Sequence, residues 1–123
     1  MFFPIFQTPT ELFVWAFVAH LAADWLFQTK WMVIHKVNLR HPAGYVHAAI
    51  YALFMALVFP PLIAAVIGVT HLLVDTRVPV RWWMRVVKGM TEGSPGAGAV
   101  EMGVDQVFHI MVIALVVLLP TMV

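Results

Sequence analysis

The chain has 123 residues, of which 63% are hydrophobic and 11% are charged, with a formal net charge of +1. Soluble domains are usually about half apolar and about a quarter charged, so this composition argues against a soluble domain and predicts an integral membrane protein. The small net charge predicts no nucleic-acid partner, and the lack of cysteine excludes disulfides and thiolate metal sites.

The first predicted span begins at the "TPTE" of residues 8–11. Its first threonine can cap a helix, its proline suits the first helical position, and its glutamate can complete a capping box. The apolar run then continues to about Gln28, which gives roughly 20 residues, enough to cross a ~30 Å hydrocarbon core. A polar connection follows and contains Lys30, Lys36 and Arg40.

The middle of the chain contains no Asp, Glu, Lys or Arg between His41 and Val74, and the "FPP" of residues 59–61 divides it. Proline removes a backbone donor and clashes inside a helix. The pattern therefore predicts two antiparallel helices, over about residues 42–59 and 61–76. Both are at the short end for a span, so they either cross a thinned bilayer or form a hairpin that does not fully cross.

The segment "RVPVRWWMRVVKGM" comes next and places Arg81, Arg85 and Lys88 beside tryptophans and valines. A basic face next to aromatic and aliphatic residues is typical of the membrane interface. After the loop "EGSPGAG", the last apolar run covers about residues 99–119 and ends at Pro120. The predicted fold is all-α: one integral membrane domain over residues 1–123, a bundle of four transmembrane helices with a short basic interfacial segment between helices 3 and 4.

The distribution of positive charge predicts the orientation. All seven Lys and Arg residues lie in the first and third connections. The positive-inside rule then predicts that both connections are cytoplasmic. We expect a multi-pass protein of the bacterial inner membrane, with the "FPP" turn and both termini non-cytoplasmic and with membrane lipids as partners. The oligomeric state is left open.

Polar side chains interrupt these apolar runs, all in the predicted cytoplasmic half. The segments "HLAAD", "HLLVD" and "DQVFH" each space a histidine and an aspartate four residues apart, which puts both on one helix face. A further histidine lies near the start of helix 2. Charged groups in lipid normally face the bundle interior or a water-filled cavity, so the four helices are expected to turn these faces together. The candidates are His20, Asp24, His47, His71, Asp75, Asp105 and His109.

Imidazole and carboxylate are the ligand types of zinc, and also of manganese or iron, so we predict a divalent-metal site with zinc favoured. Seven candidates exceed the three or four protein ligands of one zinc ion. Either two metals bind, or one metal binds and the remaining carboxylates orient the imidazoles. Gln28 and Gln106 are predicted to support the ligands, and Tyr51 to pack in the core. The alternative without metal is that each His–Asp pair is a hydrogen bond that ties helices together.

The residue types narrow the possible chemistry. There is no cysteine, and the one serine, Ser94, lies in a "GSPG" loop that is unlike a nucleophile elbow. A hydrolase would then use water activated by the metal, with Asp24, Asp75 or Asp105 as general base. We predict a metal-dependent hydrolase that acts on a lipid-linked or membrane-adjacent substrate. The alternatives are a metal-ion or proton transport protein and a structural or accessory protein with a metal-stapled core.

The four segments "HLAADWLFQTKWM", "VHAAIY", "HLLVD" and "DQVFH" resemble the uncharacterised bacterial and phage family called domain of unknown function 3307. Its pattern is approximately H-x-x-x-D-x-x-x-Q, a lone His, H-x-x-x-D and D-Q-x-x-H. The resemblance covers nearly the whole chain and implies a small polytopic membrane protein with no established activity. The chain is more loosely similar to membrane-bound metal-dependent hydrolases, which also carry His and Asp on transmembrane helices.

Overall fold

The structure is a computed structural model that describes residues 8–122, and every regular element in that range is helical. The prediction of an all-α fold is therefore confirmed. The helix α1 packs against α3 and α6, and α4 packs against α3, α5 and α6. A π-helical turn, Ala22–Leu26, continues α1. The helices are α1 (Pro9–Leu21), α2 (Lys30–His35), α3 (Pro42–Met55), α4 (Pro61–Asp75), α5 (Val78–Val86) and α6 (Ala97–Met122).

Local sequence signals explain where the helices begin. The Thr8 hydroxyl accepts a hydrogen bond from the Glu11 backbone N–H at 3.2 Å, the cap expected from the sequence. The imidazole of His41 caps α3 in the same way, because its Nδ1 accepts from the Ala43 N–H at 3.1 Å. Proline stands in the first turn of α1, α3 and α4, where its missing N–H costs nothing.

Three boundaries differ from the prediction. The connection after Gln28 contains the extra helix α2, which Thr29 caps by accepting from the Met32 N–H. Helix α3 ends at Met55 and not at residue 59, because the chain tightens there and the Val58 and Phe59 N–H groups both donate to the Met55 carbonyl. Helix α6 continues beyond residue 120 to Met122, since a proline removes one helical hydrogen bond without necessarily ending the helix.

Helix length limits the number of membrane spans. Within residues 8–122, one helix is long and apolar enough to cross a membrane, the Ala97–Leu119 part of α6, with a mean hydropathy of 2.2. The pair α4 and α5 meets the same criterion only jointly, with a bend of 56° between them. Helix α3 has 14 residues, which is roughly 21 Å against a hydrocarbon core of ~30 Å. The predicted bundle of four complete spans is not supported.

Small residues line the close helix contacts in the interior of the bundle, and many large apolar residues lie on its outside. A Cβ atom added at Gly68 would lie 2.8 Å from the Ala52 Cβ, so α3 and α4 approach each other closely. Buried alanines include Ala16, Ala19, Ala23, Ala43, Ala48 and Ala64, and exposed apolar residues include Val14, Trp15, Leu53, Leu62, Val69, Met111 and Leu115.

Candidate metal centre

The seven candidate ligands from the sequence all lie inside the bundle. None of them is more than 3% exposed. They come from α1 with its π turn, α3, α4 and α6, so the four polar faces point at one another. The folded chain thus buries three carboxylates and four imidazoles in one region: His20, Asp24, His47, His71, Asp75, Asp105 and His109.

The π-helical turn after α1 carries the aspartate of the first pair. The Phe27 N–H donates to the Ala22 carbonyl at 2.9 Å, five residues back, which widens the helix locally. Such turns are frequent at functional sites. Here the turn holds Asp24, whose Oδ1 lies 3.0 Å from His47 Nε2 on α3.

A first group consists of Asp24, His47, His71 and Asp75, and one ligand atom from each lies within 4.8 Å of all the others. The Nε2 atoms of His47 and His71 are 2.8 Å apart. His71 Nε2 is also 2.9 Å from Asp75 Oδ2, the i, i+4 partner on α4. Two nitrogens and two carboxylate oxygens therefore converge, a donor set that suits a divalent transition metal.

Hydrogen bonds alone do not satisfy these contacts. His47 Nε2 lies 3.0 Å from Asp24 Oδ1, where it must carry a proton to donate. The same nitrogen then has no lone pair left for His71 Nε2, which needs its own proton to donate to Asp75. A cation between the four side chains removes the conflict, because both imidazoles can then present lone pairs.

A second group consists of Asp75, Asp105 and His109, again with ligand atoms within 4.8 Å of one another. His109 Nδ1 is 2.7 Å from the Asp105 backbone carbonyl, which can only accept, so Nδ1 carries the proton. In the neutral ring, Nε2 is then a lone pair. It lies 3.5 Å from Asp75 Oδ1 and has no hydrogen-bond partner among the described residues.

His20 lies outside both groups. Its Nε2 is 2.8 Å from Gln106 Oε1, and its Nδ1 is 2.7 Å from the Tyr51 hydroxyl. Gln106 Oε1 is identified as the oxygen because the Trp25 indole N–H, which can only donate, also points at it at 3.1 Å. His20 therefore donates to Gln106 and accepts from Tyr51, so both of its ring nitrogens are engaged and it positions other residues.

The two glutamines predicted to support the ligands differ in their contacts. The Gln106 amide NH₂ lies 3.1 Å from both Asp24 Oδ2 and Asp105 Oδ2, so it joins the two groups. The Gln28 amide donates to the backbone carbonyl of Asp24 at 2.6 Å and contacts no carboxylate. Gln106 thus orients ligand side chains, whereas Gln28 stabilises the backbone at the π turn.

The sequence predicts Lys36 in a polar connection, but the structure brings it to the candidate site. Its side chain is almost fully buried, and its Nζ lies 3.2 Å from Asp75 Oδ1 and 3.8 Å from Asp24 Oδ1. The available signal was the Thr29 cap followed by Met32 and Lys36, whose spacing of four puts both on one inward face. The core position predicted for Tyr51 is confirmed, since it is 1% exposed, and its ring also stacks on His71 at 3.7 Å between centroids.

The charges of the cluster do not cancel within it. Three carboxylates face one buried ammonium, that of Lys36, which leaves two negative charges. The Arg77 Nε lies 3.6 Å from Asp105 Oδ1, but this guanidinium is equally close to Glu101 and partly exposed. Because an uncompensated buried charge is costly, these groups could hold a metal cation.

The family comparison agrees with the sequence pattern. The family model described as "Protein of unknown function (DUF3307)" matches residues 12–123, which include all seven candidate ligands. The chain belongs to this family. No curated protein and no solved structure matches the chain. The similarity to membrane-bound metal-dependent hydrolases is therefore not supported by these comparisons.

Proposed function

We propose that the chain is a membrane-embedded protein that binds one divalent metal ion between Asp24, His47, His71 and Asp75. The observation that carries the proposal is the contact of two imidazole Nε2 atoms with each other and with two carboxylates, a set that hydrogen bonds cannot satisfy while both carboxylates are ionised. The two negative charges left in the cluster support a divalent ion. Zinc is the favoured metal, and manganese and iron take the same ligand types.

The surface supports the membrane environment. Soluble proteins rarely expose large contiguous apolar patches, yet exposed valine, leucine and tryptophan side chains occur on α1, α3, α4 and α6. The close α3–α4 approach at Gly68 is the small-residue packing of membrane helices. We place α6 across the bilayer, with α3 and α4 as a hairpin that does not fully cross, and the basic connections in the cytoplasm.

Metal analysis of the protein purified in mild detergent tests the metal proposal. After loading with zinc, manganese or iron and removal of free metal, we expect one ion per chain. His71→Ala removes a ligand and should lose the ion. His35→Asn is the matched control, because His35 stacks on His41 and contacts none of the candidate ligands. A folded wild type that retains none of the three metals would contradict the proposal.

Reporter fusions test the orientation separately. A fusion after Lys36 should be active as a cytoplasmic reporter, and one at Val123 should be active as a periplasmic reporter. Cytoplasmic activity at Val123 would overturn the orientation while leaving the metal proposal standing.

A metal-dependent hydrolase is the second candidate function, and an apolar groove favours it. The groove has a volume of about 790 Å³ and runs along α6. Two of its residues, Val74 and Val112, also line the gap beside His71 and His109. That gap leaves no space for a water molecule, so hydrolysis requires these side chains to move. Asp105 is then the general base, because Asp24 and Asp75 are metal ligands.

Incubation of the metal-loaded protein with phosphatidylglycerol vesicles tests the hydrolase directly. Mass spectrometry should find cleaved lipid with wild type and none with Asp105→Asn, provided that this variant still binds its metal. Intact lipid in both samples would count against this candidate on that substrate class.

Transport has less support, because the other end of the bundle interior is apolar around Met55, Ile113 and Val117.

A further inference from the structure

Lys36 brings a positive charge to Asp75, the carboxylate that belongs to both groups. Asp75 directs Oδ2 toward His71 in the first group and Oδ1 toward His109 in the second. The Lys36 Nζ lies 3.2 Å from that same Oδ1. A carboxylate with one oxygen in each of two groups has the arrangement of a ligand that bridges two cations.

The second group contains buried ligand atoms that accept no hydrogen bond in the described structure. In the neutral ring His109 Nε2 is a lone pair 3.5 Å from Asp75 Oδ1, and both Asp75 oxygens and Asp105 Oδ1 have only ion-pair contacts, among them those to Lys36, His71 and Arg77. His109 and Asp105 are 3% and 1% exposed, so water does not satisfy these atoms freely. One imidazole nitrogen and two carboxylates therefore form a possible cation site that is separate from the first group.

We infer that the Asp75–Asp105–His109 group is a second divalent-metal position, and that the Lys36 ammonium keeps the wild-type chain at one metal. This inference rests on the metal proposed for the first group. With Lys36 present, one divalent ion already neutralises the three carboxylates. Without it, one negative charge remains after the first ion binds, next to unpaired ligand atoms. A second divalent ion is then attracted by the remaining negative charge and can be coordinated by the unpaired ligand atoms.

Lys36→Met tests the inference, because methionine keeps an unbranched apolar stem and removes the charge. Lys30→Met is the matched control, since Lys30 is exposed and lies at the start of the same helix. Equilibrium dialysis with Mn²⁺ in detergent should give one ion per chain for wild type and for Lys30→Met, and two for Lys36→Met. Two Mn²⁺ ions bridged by Asp75 should also give an exchange-coupled electron paramagnetic resonance spectrum, which one isolated ion does not.

His109→Gln in the Lys36→Met background should return the count to one, because it removes the nitrogen ligand of the second group. A folded Lys36→Met that still binds one ion overturns the inference, and so does a wild type that binds two. A wild type that binds none instead overturns the proposed metal in the first group. If size-exclusion chromatography shows Lys36→Met to be unfolded, Lys36→Gln replaces it under the same expectations.

Discussion

The two ends of the bundle interior differ in polarity. At one end the buried side chains are apolar and pack against each other, and at the other end buried polar atoms lack hydrogen-bond partners among the described residues. Around Met55, Phe59 and Ile113 the core is apolar, and the side chains satisfy one another by contact. Around Asp75 and His109 the interior is polar, and several buried atoms have no hydrogen-bond partner among the described residues. The helices α1, α3, α4 and α6 line both ends. The difference indicates that the apolar end holds the helices together, while the polar end has side chains that could hold a metal ion.

The largest expected effect is on the free energy of unfolding. Substitutions at the two ends should both lower it, but only a substitution at the polar end should also remove the metal. Asp75→Ala removes the nearer carboxylate of Lys36, leaving Asp24 Oδ1 at 3.8 Å, and should cost about 3–5 kcal/mol of unfolding free energy, together with the bound metal. Ile113→Ala should cost about 2–5 kcal/mol through its cavity, yet keep the metal. Thermal unfolding in detergent and metal analysis measure the two effects. Loss of metal in Ile113→Ala, or its retention in Asp75→Ala, would remove the distinction between the ends.

Removal of the metal by a chelator should lower the stability of the wild-type protein by a smaller amount than these substitutions do. A ligand that binds only the folded state stabilises it by about 2.7 kcal/mol at a free concentration of 100 times its Kd. Excess chelator should therefore lower the melting temperature of the metal-loaded protein, and restored metal should raise it again. The melting temperature of His71→Ala should not respond to either treatment. Equal responses in the two proteins would place the chelator effect outside this cluster.

The smallest expected effect distinguishes the two glutamines. Gln106→Leu removes the amide that holds Asp24 and Asp105, and loss of such a supporting contact typically weakens metal affinity by about 10–100-fold. Gln28→Leu is the matched control, because Gln28 contacts only the Asp24 backbone carbonyl and its loss should leave the Kd almost unchanged. Competition titration against a chromophoric chelator measures both. Similar Kd values for the two variants would mean that Gln106 does not orient ligands.

The helical fold and the inward polar faces were predictable because both depend on local spacing. A His and an Asp four residues apart share a helix face wherever the helix lies, so "HLLVD" already placed His71 beside Asp75. Helix lengths were less predictable. Residues 56–59 are as apolar as the α3 residues before them, and only the hydrogen bonds to the Met55 carbonyl show that the helix has ended.

Contacts between distant parts of the chain were not predictable. Lys36 is buried because α2 packs against α3, and although its spacing from Met32 marks one face of α2, nothing local shows that this face meets α3. His20 falls outside the ligand groups because Tyr51 and Gln106 engage its ring nitrogens, and Gln106 lies 86 residues away. Spacing predicts the face on which a side chain lies, but not the atom that it meets there.

The four ligands of the first group lie between residues 24 and 75, so none of them comes from α6. During synthesis all four therefore emerge from the ribosome before the last helix does. The α3–α4 hairpin supplies three of them, His47, His71 and Asp75, from neighbouring helices joined by a short turn. If the proposed metal binds, its four ligands are therefore complete before α6 is made. The later addition of α6 brings Asp105, Gln106 and His109 against a group that is already assembled.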